Sequence, residues 1–517
     1  MAPAAADPRV ADPAVDPIDA PIAAPIAVVD IGSNSIRLVV YDKLGRSPLP
    51  IFNEKVLCGL GRDLALTGRL SPEGVTMALT NLRRFRSLID GMGVGRVDVL
   101  ATAAVRDADD GMKFAAEVER TCGLTMNIIS GVEEARLSAM GVLSAMPQAD
   151  GVMGDLGGGS LELVGLNKGR VADQATLPLG PFRLMSAETA GMVPGDLIDA
   201  ELAGQDWLAA YRKRVFYPVG GAWRSIAKLH LALTGHPIHV IQEYTVPASD
   251  LFDTVSLIAR QSKGSLSSLQ GVSKRRLETM PLASLLFARV LKVLAPKKVV
   301  FSANGLREGH LFDQLDQKTR SQDPLIAACA DVAERVDRYG FGSSHEIADW
   351  TAPLFADETD ADRRLRIAAG LVSDIGWSDH PDYRAIHSFH RVLRLPVGGI
   401  EHRDRAFLAL AILIRYGGAS GSDDIADAVG VLTDERQNQA RRLGTALRLA
   451  HTLTGGATRM LDQTRLVPGK QFLDLVLPSD KESLIGDVVR RRLDAVARAF
   501  DLEGRIVTLP QAMPKAG

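Results

Sequence analysis

The chain has 517 residues, too many for one hydrophobic core, and its 46% hydrophobic and 24% charged content is that of a globular protein of about three domains. A formal net charge of -2 excludes a global polyanion-binding signature and with it a nucleic-acid-coating function. Three isolated cysteines, Cys58, Cys122 and Cys329, exclude a disulfide framework or a cysteine-based zinc site and fit a reducing cytoplasm.

The first 24 residues repeat Ala, Pro and Asp without a basic start or an unbroken apolar core, so a disordered tail is expected rather than a signal peptide or anchor. No apolar run approaches the ~20 residues that span a bilayer, the longest lying near Phe407 to Ile414. Ile26 to Asp30 is an apolar run ending in an acid, Gly32 to Ser35 is a turn, and Ile36 to Tyr41 is a β-rich return strand. Ser71-Pro72 opens a helix that Gly91 closes, Val97 to Ala101 is a strand, and Thr102 to Arg106 reads as a loop. Asp110 to Thr121 is helical and Leu124 to Ile129 is a strand. Ser130 caps a helix that ends near Met146-Pro147, with Glu133 at capping-box spacing and bonding back to the Ser130 N–H. Glu134 is then the acid free for chemistry.

Gly154 to Leu163, G-D-L-G-G-G-S-L-E-L, repeats the opening hairpin. Superposing Asp30 on Asp155, 125 residues later, aligns Gly32 with Gly157, Ser35 with Ser160 and Arg37 with Glu162, which indicates an internal duplication. Glycines at Gly157, Gly158 and Gly159 let backbone N–H groups approach an anion, and the carboxylates of Asp155 and Glu162 offer oxygen ligands suited to Mg2+. A glycine-rich β-turn with a surface Glu would read the same way in isolation. Pro178 to Pro181 interrupts the pattern, helices resume near Pro194, and Tyr217 to Gly221 is a strand running into a glycine pair before the helix Ala222 to Leu233. The strand Val299 to Ser302 precedes another glycine-containing turn, Asn304 to Gly309. Between Gln205 and Arg320 there are 17 Lys and Arg against 8 Asp and Glu, a basic stretch that could face an anionic ligand. From Leu325 helical periodicity dominates. The expected organisation is a tail at 1–24, α/β domains at 25–150 and 151–320, and a helical domain at 321–517.

D-I-G-S-N-S-I-R-L at Asp30, A-T-A-A-V-R ending at Arg106, I-S-G-V-E-E-A-R-L at Ile129 and G-D-L-G-G-G-S-L-E-L at Gly154 stand in one order. Together they closely resemble the exopolyphosphatase / guanosine pentaphosphate phosphohydrolase family, over Ile26 to Leu311 and more weakly to the C-terminus. The resemblance implies a duplicated ribonuclease-H-like, actin-type ATPase core with a cleft site and a homodimer. It implies Glu134 as the base that activates water, and Arg37 and Arg106 on the terminal phosphoryl group. Asp155, Glu162 and Asp30 would hold Mg2+, with Mn2+ as a substitute and K+ as a monovalent companion. Ser33, Asn34, Gly157 to Ser160 and, less tightly matched, Gly220, Gly221 and Arg224 would bind phosphates. The basic stretch would extend the cleft as a track for inorganic polyphosphate.

In longer members the C-terminal part resembles HD-type, metal-dependent His-Asp phosphohydrolases. Ala368 to Gly376 has that shape, but Ser373 stands where a metal-binding histidine would precede Asp374. His380, His387, His390 and His402 are the remaining metal candidates, and the expectation is a helical platform or polyphosphate-binding surface without its own catalytic centre. The expected activity is hydrolysis of terminal phosphate from polyphosphate. The alternatives are guanosine pentaphosphate hydrolysis, an actin-type ATPase or sugar kinase, or a non-catalytic polyphosphate or alarmone sensor.

Overall fold

Strands β1 (Ile26–Ile31) and β2 (Ser35–Tyr41) form an antiparallel hairpin whose register pairs Asp30 with Arg37. A computed structural model describes residues 24–261, 265, 278–339, 345–419 and 423–510, and the expected tail lies outside them apart from Ala24. β1 also runs parallel to β4 (Arg96–Ala101), and with β3 (Pro50–Leu57) and β5 (Asn127–Ile128) the sheet order is β3-β2-β1-β4-β5. β1 is apolar throughout apart from Asp30 because both faces of the sheet are covered. Ala27, Val29 and Ile31 join the core beneath helices Pro72–Gly91 and Gly111–Cys122, while Ile26 and Val28 face Leu137 and Leu306.

The second sheet repeats the first. β6 (Gly151–Leu156) and β7 (Leu161–Asn167) form the equivalent hairpin, β8 (Arg170–Leu177) flanks it, and β9 (Val215–Val219) runs parallel to β6. With β10 (Thr245–Pro247) and β11 (Lys298–Val300) the order is β10-β11-β9-β6-β7-β8, the first order plus one strand. Asp155 pairs with Glu162 as Asp30 pairs with Arg37. The turns match in detail: Gly32 N–H donates to Ser35 O at 3.0 Å and Gly157 N–H to Ser160 O at 3.1 Å. Between the sheets, helix Gly131–Ala145 packs on helix Leu306–Asp313. The approach is so close that a Cβ on Gly309 would stand 1.7 Å from Leu137 O.

Several boundaries differ from expectation. Thr102 to Arg106 is not a loop, since Ala103–Asp107 is a helical turn, and the strand expected over Leu124 to Ile129 contracts to Asn127–Ile128. Pro181, read as part of a break, opens helix Pro181–Thr189, where its missing N–H costs nothing at the first helical position. Beyond Pro324 the chain is mainly helical, but it also holds a three-stranded sheet of β12 (Arg465–Pro468), β13 (Phe472–Pro478) and β14 (Glu503–Leu509). The apolar run at Phe407 to Ile414 lies in helix His402–Arg415, which is buried along most of its length at the centre of this region. Among the described residues no helix is long and apolar enough to cross a membrane.

The C-terminal region touches both α/β parts. Lys43 Nζ of the first part meets Asp331 at 2.8 Å, while Glu243 of the second accepts the Gly399 N–H at 2.6 Å. The HD-like detail is not confirmed. Asp374 is held by Arg338 at 2.5 Å and Arg415 at 2.9 Å, and Ser373 Oγ lies 2.8 Å from His451 Nε2. His402 is committed to His236 at 2.7 Å and to Val240 O at 2.8 Å.

Candidate active site

The parallel strands of both sheets end at one cavity of about 170 Å3, the position where open α/β sheets bind ligands. The two glycine turns form its facing walls. A Cβ on Gly158 would stand 3.2 Å from Ser33 Cβ, and one on Gly159 3.3 Å from Ser33 Oγ, so the jaws meet backbone to side chain. Asp30, Ser33, Asn34 and Arg37 line it from the first hairpin. Asp155, Glu162 and Gly157 to Ser160 line it from the second. Gly220, Gly221 and Arg224, at the start of helix Gly221–Leu233, and Glu134 complete the set. Every residue assigned to the cleft from the sequence is there except Arg106, and the C-terminal candidates His380, His387, His390 and His402 do not line it.

Arg106 stands behind Glu134. Its guanidinium donates to Glu134 Oε2 at 3.0 Å, to Ile129 O at 3.2 Å and, through Nε, to Asp107 at 3.1 Å. It lines a neighbouring cavity instead of the one between the turns. The capping box at Ser130 is half formed. Ser130 Oγ accepts the Glu133 N–H at 3.2 Å, but the Glu133 carboxylate is bound by Arg136 at 2.9 Å and does not return to the cap. This still leaves Glu134 as the inward acid of that helix.

Charge in the cavity is gathered by sign. Burial pushes the Glu134 carboxyl up to about 7, since the Arg106 pair only partly offsets desolvation and the nearby Asp155 and Asp30 add repulsion. Burial also raises Glu162 well above the carboxylate range, helped by the charges of Glu134 and Asp155, and raises Asp155. Among the cations, burial lowers Arg37 to about 10, and Arg307 and Arg224 repel it further. Arg106 shifts the other way, because its hydrogen bond and ion pair with Glu134 outweigh burial. Carboxylates that oppose one another's ionisation call for a cation, and clustered guanidiniums call for an anion.

Four participants escaped sequence reasoning. Arg307, buried, donates to Asp30 Oδ2 at 2.6 Å and lines the cavity, so Asp30 holds a guanidinium with one oxygen. Ser138 Oγ donates to Asp155 Oδ2 at 2.6 Å, and its spacing of four residues from Glu134 on one helix face was the available signal. Lys55 and Thr102 also line the cavity. Of the basic stretch, Lys263, Lys274, Arg275 and Arg276 lie outside the described residues, and among the described ones Arg224 and Arg307 reach the cavity. Lys213, Arg214, Lys297, Lys298 and Arg320 line a separate space of about 1090 Å3 at the starts of β9 and β11, at the far end of the second sheet, and so form no continuation of the cleft.

The carboxylate cluster fits a divalent cation. Glu162 is 1% exposed and its Oε1 has no hydrogen-bond partner among the described residues, a costly state that a hard cation would relieve. No three His, Cys, Asp or Glu side chains among the described residues form a ready cage, so a cation here would complete its shell with water and phosphate oxygens.

The pattern of the Ppx/GppA phosphatase family matches residues 39–318, and that of the exopolyphosphatase C-terminal domain matches residues 325–508. The chain is similar to exopolyphosphatase 1 of Mycobacterium tuberculosis (strain ATCC 25618 / H37Rv), 26% identical over 306 residues, covering 57% of this chain and 89% of that protein. It is also similar to retrograde regulation protein 2 of Saccharomyces cerevisiae, 26% identical over 437 residues, covering 76% and 72%. The crystal structure of an exopolyphosphatase from Cytophaga hutchinsonii shares the fold, with a TM-score of 0.52 at 23% identity over 56% of this chain and 96% of that one. The paired hairpins and repeated sheet order are those of the duplicated, actin-type ATPase core. The chain belongs to the Ppx/GppA phosphatase family and is a phosphoanhydride hydrolase.

Proposed function

We propose that the chain is an exopolyphosphatase that removes terminal orthophosphate from inorganic polyphosphate with Mg2+ as its cofactor. The observation that carries this is one cavity lined by two glycine turns, a carboxylate cluster and an arginine cluster. The names of the relatives favour polyphosphate over a nucleotide, and Phe182 is the only aromatic side chain lining the cavity among the described residues. Three buried cysteines without disulfides suit a reducing cytoplasm.

The terminal phosphoryl group rests against the N–H groups of Gly158 and Gly159, with Arg37, Arg224 and Arg307 neutralising its oxygens and those of the next phosphate. Glu134, with its carboxyl pushed up to about 7, is matched to accept a proton from water near neutral pH. The water oxygen bonds to phosphorus in line with the breaking anhydride P–O bond, whose electrons go to the shortened chain. Arg106 positions Glu134 and stays off the phosphate, and Ser138 orients Asp155. Bound at Asp155 and Glu162, Mg2+ would supply charge neutralisation for the developing oxyanions. Asp30 orients Arg307 in this scheme.

Orthophosphate release from long-chain polyphosphate and from guanosine pentaphosphate, measured on one preparation, tests the assignment; preference for the nucleotide would overturn it. Glu134→Gln should bind polyphosphate and lose about 10²- to 10⁴-fold in hydrolysis, and normal hydrolysis by that variant would remove Glu134 as the base.

A further inference from the structure

A second cavity of about 500 Å3 adjoins the first, and Gly159 and Ser160 belong to the walls of both. The partition continues through the ion pair of Glu134, which faces the inner cavity, and Arg106, which faces the outer. Two arginines line the outer cavity and share one carboxylate. Asp107 accepts from Arg106 Nε at 3.1 Å and from Arg183 Nη2 at 3.1 Å. Arg106 and Asp107 lie on the turn after β4 of the first sheet, and Arg183 on helix Pro181–Thr189 of the second half, so the pair bridges the jaws. Arg183 and Asp107 are partly exposed, and the cavity opens to solvent past Val132, which is 59% exposed.

In-line displacement fixes where the product lies. The attacking water and the leaving chain stand on opposite sides of phosphorus, so after cleavage orthophosphate lies between Glu134 and the retained chain. It cannot leave past the chain unless the chain dissociates. The open path lies on the Glu134 side.

Resting on the exopolyphosphatase reading above, we propose that the outer cavity is the exit for orthophosphate, with Arg183 offsetting Asp107 so that a phosphate dianion can cross between Arg106 and the jaw bridge. Arg183 is a release residue and takes no part in bond cleavage.

The test compares bond cleavage in the first turnover, by quenched flow with polyphosphate and Mg2+, with the appearance of free orthophosphate reported by a phosphate-sensing protein. Arg183→Ala and Val132→Trp, the latter narrowing the mouth from an exposed helix position, should leave first-turnover cleavage within about twofold of wild type and slow free-phosphate appearance about threefold or more. Arg183→Lys should restore most of the release rate. Release equal to wild type in both Arg183→Ala and Val132→Trp, or cleavage falling in parallel with release, would overturn the exit. Wild-type protein that cleaves no polyphosphate would sink the substrate reading and the exit with it, whereas normal wild-type cleavage with unaffected variants would sink the exit alone.

Discussion

Arg106 offers the sharpest test of the site, because its expected grip on the phosphoryl group and its observed grip on Glu134 predict different pH profiles. In the structure it lies 3.0 Å from the Glu134 carboxylate and restrains a carboxyl that burial has already pushed up to about 7. An opposite charge at such contact is worth about 1–3 pKa units, so Arg106→Met should carry the acid limb of kcat/KM from near 7 to about 8–10. At pH 7 the ionised fraction of Glu134 would then drop from about one half to between about 10% and 0.1%, a rate loss of about 5- to 500-fold. Raising the pH should recover that loss. The assay is kcat/KM for polyphosphate across the pH range at one fixed Mg2+ concentration, so that any offset from the cation cancels in the comparison. Arg106→Lys, which keeps the charge, should hold the limb within about one unit of wild type. A uniform loss at every pH with the acid limb unmoved would refute the reasoning and return Arg106 to the phosphate.

Glu134→Gln should gain stability on wild type as pH rises from about 4.5 to 7, by on the order of 1–3 kcal/mol, because a raised folded pKa means that stability present at low pH is lost through that window; urea unfolding at both ends measures it. Gly220 has φ +96°, and a Cβ there would meet Leu156 O at 2.5 Å and Asp155 Oδ1 at 2.9 Å. Gly220→Ala should therefore cost about 1–3 kcal/mol and displace Asp155, seen as a lowered Tm with weakened Mg2+ dependence. Arg307→Met removes the guanidinium bound to Asp30 and beside the partly buried Glu308 and should lower stability by about 3 kcal/mol as well as polyphosphate hydrolysis. An unchanged Tm for Arg307→Met would count against the Asp30 pair.

The two hairpins were legible because their signals are local. An apolar run ending in an acid, a glycine turn and a β-rich return occupy about a dozen residues, and the same turn hydrogen bond forms in both copies. Arg307 was not legible as the partner of Asp30, since 277 residues separate them and only the crossing of helices Gly131–Ala145 and Leu306–Asp313 brings them together. The contact of Arg106 with Glu134 was not legible, because a sequence shows that an arginine follows a strand and not which way a helical turn aims it. The C-terminal sheet was missed although Phe472–Pro478 is a short, mostly apolar run ending in Pro, since its strands lie among long helices and pair with partners up to about thirty residues away. The basic stretch looked like one track because net charge along a chain carries no direction. Among the described residues the fold sends Arg224 and Arg307 to one end of the second sheet and Lys213, Arg214, Lys297 and Lys298 to the other.

The duplication also explains why this site can do chemistry at all. Two identical hairpins facing each other would present either four carboxylates, which would repel a phosphate chain, or a symmetric pair of Asp–Arg ion pairs, which would leave no carboxylate to bind a cation. The fold keeps the acid at the end of the first strand in both copies, Asp30 and Asp155, and varies the residue paired with it across the hairpin. In the first copy Arg37 and the incoming Arg307 neutralise Asp30 and turn that jaw toward phosphate. In the second, Glu162 stands where Arg37 would be, and Asp155 accepts the hydroxyl of Ser138, so that jaw pairs two carboxylates that oppose one another's ionisation and suit a cation. Glu134 comes from outside both hairpins, on the helix between the sheets, and its ionisation is opposed by both acids, Asp155 and Asp30. A base poised near neutrality therefore follows first from burying a third carboxylate and then from setting it between the two jaws, and any change that restores the symmetry, such as Glu162→Arg, should cancel cation binding and draw the Glu134 carboxyl down toward its ordinary range.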